Sequence, residues 1–318
     1  MLILMPYSSL FFFFLFTSVI MVLASPNWFM AWMAMELNLL SFIPLLTSSK
    51  SMQETESSVK YFFAQGVGSA LILMGAFYNF NFASFFILIG LLFKLGAAPF
   101  HLWFPSAMSG ISWNSCILMS TWQKIAPLSL LTTLSQSWPL LILSSAALSA
   151  LMGGLMGINQ SYLRALLAYS SITHTGWMLA LITQSYPIMI SYFLIYSIIS
   201  VSIMMSLNNS NALSLSFFTS YPLLMFLQLL SLGGLPPLTG FAAKLLSLSY
   251  LAPFSLPLSL ILILGSLLGL YYYLTMTFSI LYSSFLYPKI SYSPLSLNLS
   301  FLTTLSLSLF LTFTIFIP

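Results

Sequence analysis

FKLGAAPFHLW, residues 93–103, decides how the chain is read. It lies in an apolar run that starts near Phe85 and would otherwise form one membrane helix. Lys94, Gly96, Pro99 and His101 interrupt that run. A lysine at the centre of a spanning helix costs roughly 2.5–3.5 kcal/mol on insertion scales. Proline removes a backbone donor and clashes with the preceding turn. Broken backbone at membrane depth is tolerated only where it is buried in protein or lines a wet cavity. A charge beside a broken helix therefore points to an ion path. GGLPPLTGFAAK, residues 233–244, repeats the construction.

The composition agrees. Of 318 residues, 60% are hydrophobic and 3% charged, too few charges to cover a water-soluble domain of this size. The chain reads as all-α and polytopic, with about eleven transmembrane helices. These are expected at residues 2–23, 27–46, 59–78, 84–104, 112–134, 138–157, 162–182, 187–207, 221–250, 256–282 and 297–316. The N-terminal run has no basic segment ahead of it and reads as the first helix, not as a signal peptide. Residues 47–58 are expected to form a polar loop. The alternating Ser/Leu pattern near Leu305 is expected to be helical, because lipid forbids an open strand edge.

The net charge of +4 is scattered and forms no nucleic-acid patch. The single cysteine, Cys116, cannot make an internal disulfide, and no Cys/His cluster has the spacing of a zinc, haem or iron–sulfur site. No nucleophile–base set, phosphate loop or dinucleotide fingerprint appears, so no cofactor is expected in this chain and no metal site.

The two broken helices fall fourth in two sets of five. The first set spans residues 2–134 and the second 138–282, followed by a last helix at 297–316. Five is odd, so the second set enters the membrane the other way up. Paired interrupted segments in corresponding positions point to an antiporter-like inverted repeat. Lys50, Lys60, Arg164 and Lys289 fall in or beside loops on one side. The positive-inside rule places the N-terminus inside and the C-terminus outside. Gly153 and Gly157 match GxxxG, a packing signal.

Glu36, Lys94, Lys124 and Lys244 lie well inside spans. Together they cost on the order of 10–14 kcal/mol on insertion scales. Pairing or snorkelling is the structural alternative, but one acid cannot neutralise three lysines, and snorkelling from mid-helix is hard. Burial favours a neutral lysine and a nearby carboxylate a charged one, so such a lysine can exchange a proton. The set suits a proton relay with Glu36 as its control element. Lys60, His101 and His174 are further relay candidates; each also has a packing or carbonyl-bonding explanation.

KLGAAPFHLW, TWQKIAP, NQSYLRALLAYSSITHTGWM, LSLGGLPPLTGFAAK and MELNLLSFIPLLTSSKSMQETESSVKYFFAQ together resemble subunit 2 of NADH–ubiquinone oxidoreductase, respiratory complex I. The likeness runs from Trp32 to Lys244; beyond it the chain matches in hydropathy only. The short form, without three extra N-terminal helices, looks like the mitochondrially encoded protein of animals. The resemblance implies an antiporter-like, proton-translocating module of the membrane arm. It implies a relay through Glu36, Lys94, Lys124 and Lys244, with Lys60 matching a further lysine. NADH, FMN, iron–sulfur clusters and ubiquinone are then expected in other subunits, and the other membrane-arm subunits are the expected partners. The implied place is the mitochondrial inner membrane, with the N-terminus in the matrix and the C-terminus toward the intermembrane space. A stand-alone cation/proton antiporter and a purely structural subunit remain the alternatives. A quinone site lined by aromatics near His101 and Trp103 is a third.

Overall fold

The structure, a computed structural model, describes residues 6–48, 51–77, 82–210, 222–236 and 238–286. The expected helix at 297–316, Lys50 and Lys289 lie outside the described residues. All thirteen described elements are α-helices. Six of them are long and apolar enough to cross a membrane: those at Trp28–Leu46, Met52–Phe77, Pro139–Ile158, Leu163–Ile182, Tyr186–Asn208 and Leu256–Tyr282. The protein is thus a multi-pass membrane protein.

The chain divides into two compact units, Met1–Ser145 and Ala146–Pro318. The first holds α1 (Pro6–Ala24), α2 (Trp28–Leu46), α3 (Met52–Phe77), α4 (Ala83–Leu95), α5 (Trp103–Met108), α6 (Trp113–Ser120) and α7 (Trp122–Leu134). Here α2 packs between α1 and α3, α3 packs on α4 and α5, and α4 packs on α7. The helix α8 (Pro139–Ile158) begins in the first unit and ends in the second. The second unit continues with α9 (Leu163–Ile182), α10 (Tyr186–Ser210), α11 (Pro222–Gly233), α12 (Thr239–Leu251) and α13 (Leu256–Leu286).

The sequence of α9 explains its place. Apart from Arg164 and Tyr169 it is buried on every side. Ala, Ser, Thr and Gly make up much of it, and small residues let backbones approach where no hydrophobic effect drives association. The GxxxG pair serves the same end. A methyl on Gly153 would stand 2.8 Å from the Tyr169 carbonyl of α9, and one on Gly157 would stand 2.7 Å from the Tyr272 ring of α13. Hydroxyls such as those of Ser18, Ser41, Ser145 and Ser171 donate to the carbonyl three residues back, so they are satisfied in apolar surroundings. Large apolar side chains are exposed along the outer faces, among them Phe13, Leu37, Leu148 and Leu264. This suits lipid contact.

Two boundaries differ from the sequence reading. The helix expected at 59–78 starts at Met52, so most of the expected polar loop is helical. The reason is local: the Ser51 hydroxyl accepts from the Glu54 backbone N–H at 3.3 Å, and Glu54 sits in the first turn, where the helix dipole favours an acid. Ser51→Ala is expected to cost about 1 kcal/mol. Amide exchange at Glu54 and Thr55 should quicken while exchange at the helix centre stays unchanged. The second difference is at 112–134, where one expected helix is two, α6 and α7, parted at Thr121 (φ −116°, ψ −74°).

Candidate functional site

The two long breaks close in the same way. Helix α4 ends at Gly96, in the left-handed region at φ +67°, and α11 ends before Gly234 at φ +79°. A side chain disfavours that backbone region, so glycine is required there. In the first, Gly96 N–H reaches the Phe93 carbonyl and Ala97 N–H reaches Leu92. In the second, Gly234 N–H reaches Ser231 and Leu235 N–H reaches Leu230. Both are Schellman ends, which satisfy carbonyls that a broken helix would otherwise leave bare in the membrane.

Side chains also donate to carbonyls of the last turns, and different ones do so at each break. At the end of α4, Trp103 Nε1 donates to the Phe93 carbonyl at 3.0 Å and Gln65 Nε2 to the Lys94 carbonyl at 3.2 Å. At the end of α11, the Lys244 ammonium donates to the Gly233 carbonyl at 2.7 Å. A cation on the last carbonyls of a helix meets the negative end of its dipole. The chain re-enters as α12 closely enough that a methyl on Gly240 would collide with the Ser231 carbonyl.

In the first unit, Lys94 lies in the last turn of α4, buried, with its stem against Gly68 of α3. The Glu36 carboxylate of α2 acts electrostatically on Lys94 and on the buried Tyr61 of α3. Glu36 Oε1 is buried and takes no hydrogen bond. The Tyr61 ring packs edge-on against Phe42 at 5.3 Å and Trp103 at 6.0 Å. His101 is buried in the non-helical segment, beside the Pro99 backbone. Its own carbonyl accepts from Phe104 N–H at the start of α5.

Lys124 is buried, at 2% exposure, and its Nζ stands 5.4 Å from the centre of the Phe104 ring. It follows the Thr121 break by three residues, and its N–H reaches back to the Thr121 carbonyl. The neighbours of Lys124 are anchored separately. Trp122 Nε1 donates to the Leu15 carbonyl of α1 at 3.2 Å. Gln123 exchanges two hydrogen bonds with Asn38 of α2, at 2.9 and 3.1 Å. Lys60 differs from these lysines. It is 44% exposed and forms an i,i+4 ion pair with Glu56 at 2.6 Å.

In the second unit, His174 of α9 is buried, and its Nδ1 lies 2.8 Å from the Tyr192 hydroxyl of α10. Its ring centre is 4.9 Å from that of Tyr196. A cavity of about 10 Å³ opens beside them, bounded further by Ser231 of α11 and by Gly240 and Ala243 of α12. That is room for about one water molecule. The Tyr272 and Tyr273 hydroxyls of α13 are buried without a hydrogen bond of standard geometry. They lie near Thr173 and Ser170 respectively, and near each other. The Tyr273 ring rests 3.5 Å from where a Gly233 methyl would be, at the carbonyl that receives Lys244.

The structure thus gathers Glu36 and Lys94 in the first unit, together with Lys124 at its own break. In the second it sets His174 at a small cavity bounded by residues flanking the helix break, and Lys244 on the Gly233 carbonyl at that break. Asn38, Tyr61, Gln65, Gln123 and the tyrosines of α10 and α13 are additions that the sequence reading missed. Gln65 and Gln123 carried a signal, since each is an amide within an otherwise apolar span. The tyrosines carried none, because tyrosine is common in this chain and its role depends on what faces it.

The chain is similar to known proteins in sequence and in fold. The family model for the membrane part of NADH:quinone oxidoreductases and Mrp antiporters matches residues 25–84 and 77–269. NADH-ubiquinone oxidoreductase chain 2 of Lumbricus terrestris is 44% identical over 281 residues, covering 83% of this chain and 84% of that protein. A chain of respiratory complex I from Thermus thermophilus superposes with a TM-score of 0.79 at 23% identity, over 92% of this chain and 74% of that one. A chain of the Mrp complex from Dietzia sp. does so with a TM-score of 0.73 at 16% identity, over 84% of this chain and 58% of that one. These structural likenesses establish an antiporter-like fold. The sequence identity goes further, and the chain belongs to the NADH-ubiquinone oxidoreductase chain 2 family.

Proposed function

We propose that this chain is a proton-translocating subunit of the membrane arm of NADH:ubiquinone oxidoreductase. It is driven by redox chemistry in other subunits, which hold NADH, FMN, the iron–sulfur clusters and ubiquinone. One observation carries the reading: Lys94, Lys124 and Lys244 each sit at a helix break. Lys94 is two residues before Gly96, Lys124 three after Thr121, and the Lys244 ammonium is bound at the carbonyl of Gly233. A break supplies exchangeable carbonyls and room for water at membrane depth, which an intact apolar helix does not.

Glu36 is the control element. Its charge acts on Lys94, so a change at Glu36 alters how firmly Lys94 holds its proton. Lys124 and Lys244 continue the exchange, with His174 and Tyr192 beside the second break. His101 has a more local task at the first break, and the Lys60–Glu56 pair lies on an exposed face. The same reading gives eleven spans in two inverted sets of five, residues 2–134 and 138–282, with a final helix at 297–316. It places the N-terminus in the matrix and the C-terminus toward the intermembrane space of mitochondria.

The test has two steps. Source membranes solubilised in mild detergent are separated natively and stained for NADH oxidation. The chain is expected in the large NADH-active assembly. In sealed vesicles carrying that assembly, Lys124→Met is expected to lower coupled proton movement by at least about a hundredfold, the low side of what one positioned proton-transfer group contributes. A chain that runs alone and drives cation-dependent proton flux in liposomes would instead be an antiporter. An assembled Lys124→Met variant that pumps normally would mark a structural subunit.

A further inference from the structure

The Asn38–Gln123 pair joins the helix of Glu36 to the helix of Lys124 by two hydrogen bonds at once. Resting on the proton-relay reading above, we infer that Asn38 and Gln123 are positioning residues of the path. Their paired amides fix α2 to α7, so that a displacement of the Glu36 helix is passed to Lys124.

Three observations support this. First, the link is reciprocal. Each amide gives one N–H and accepts one, so both must stay nearly coplanar, and neither helix can slide along the other without breaking both bonds. Asn38 is 5% exposed, which leaves little solvent to replace a lost partner. Secondly, the register of α7 is set here. The Thr121 break separates α7 from α6, and the next two residues are tied to other helices: Trp122 to the Leu15 carbonyl of α1, Gln123 to Asn38 of α2. Lys124 follows at once, so its place is inherited from α1 and α2.

Thirdly, the geometry of α2 separates grip from charge. Residues two apart on a helix project about 200° apart. Asn38 therefore holds α7 while Glu36 acts on Lys94 and Tyr61 from another face. The amides are neutral. In a low-dielectric interior a fixed charge at this point would bias the protonation of Lys124, and carboxamides hold the helices together without doing so.

The test uses the assembled complex in sealed vesicles, reading protons moved per NADH oxidised, the pH profile of coupled turnover and the KM for ubiquinone. Asn38→Leu and Gln123→Met are each expected to lower the proton ratio at least about twofold and to displace the pH profile, with the quinone KM unchanged. The double variant should be no worse than either single one, because both remove the same link. The exchanged variant, Asn38→Gln with Gln123→Asn, keeps the summed side-chain length and is expected to restore both readouts. Wild-type ratios in the single variants would overturn the inference, and so would additive losses. Should the single variants fail to assemble, the exchanged variant decides: assembly with normal pumping supports the inference, and failure of either overturns it. Lys94→Met, measured alongside, separates the two levels. If it too pumps normally the relay reading falls. If it fails while the amide variants keep the full ratio, only the amide inference falls.

Discussion

Lys94→Met is expected to abolish coupled proton translocation while the complex still assembles. The Lys94 stem lies against Gly68, and methionine keeps much of that length and flexibility, so the α3–α4 contact survives. The charge is what disappears. A buried cation is costly in hydrocarbon, roughly 2.5–3.5 kcal/mol on insertion scales, so its removal does not in itself weaken the fold. Glu36 loses the cation it acts on. What cannot be replaced is the exchange. Methionine neither takes nor gives a proton, and loss of a positioned proton-transfer group costs about 10²–10⁴ in rate.

Lys94→Arg sharpens the test. Arginine keeps the charge but does not give it up in proteins. A variant that keeps charge and loses exchange should assemble and fail to pump, as Lys94→Met does. Normal pumping by Lys94→Arg would mean that a fixed positive charge suffices at this position. Normal pumping by Lys94→Met would remove Lys94 from the path altogether. Proton movement in sealed vesicles is the readout, normalised to the amount of assembled complex on a native gel.

What the sequence disclosed follows how local each cause is. The breaks at 96–99 and 233–240 were legible because glycine and proline act on their own backbone. The membrane class was legible from composition, and Glu36, Lys94, Lys124 and Lys244 stood out as charges in apolar runs. The early start of α3 was also written locally, as Ser51 followed by Glu54, but apolar-run reading passes over a polar first turn. The break at Thr121 has no glycine or proline at it; Pro127 comes six residues later, inside α7. The Asn38–Gln123 pair joins residues 85 apart in the chain, and the tyrosines around His174 come from another helix, α10. No periodicity announces such meetings. They exist only once the helices have packed.

Gly90→Ala is expected to damage the first unit more than its single added methyl suggests. The methyl would stand 2.7 Å from the Gly68 carbonyl oxygen and 2.7 Å from Cγ1 of Ile72. The isoleucine can turn aside, but the carbonyl belongs to the backbone of α3 and is fixed by its helix. The helices must therefore part. Overpacking of this kind costs about 1–3 kcal/mol, against which the gain in helix propensity over glycine is about 1 kcal/mol. The site suffers as well, because Gln65 of α3 holds the Lys94 carbonyl across this crossing at 3.2 Å. Gly66 supplies the control. It lies on the same helix as Gly68, and a methyl there meets nothing within 4 Å. Gly66→Ala should therefore assemble at least as well as the parent chain. Gly90→Ala should assemble severalfold less, since each 1.4 kcal/mol is about tenfold in an equilibrium, and what does assemble should pump fewer protons per NADH. Equal assembly of the two variants on a native gel would show that the α3–α4 crossing has slack, and that Lys94 is not held in place by the close approach of Gly68 and Gly90.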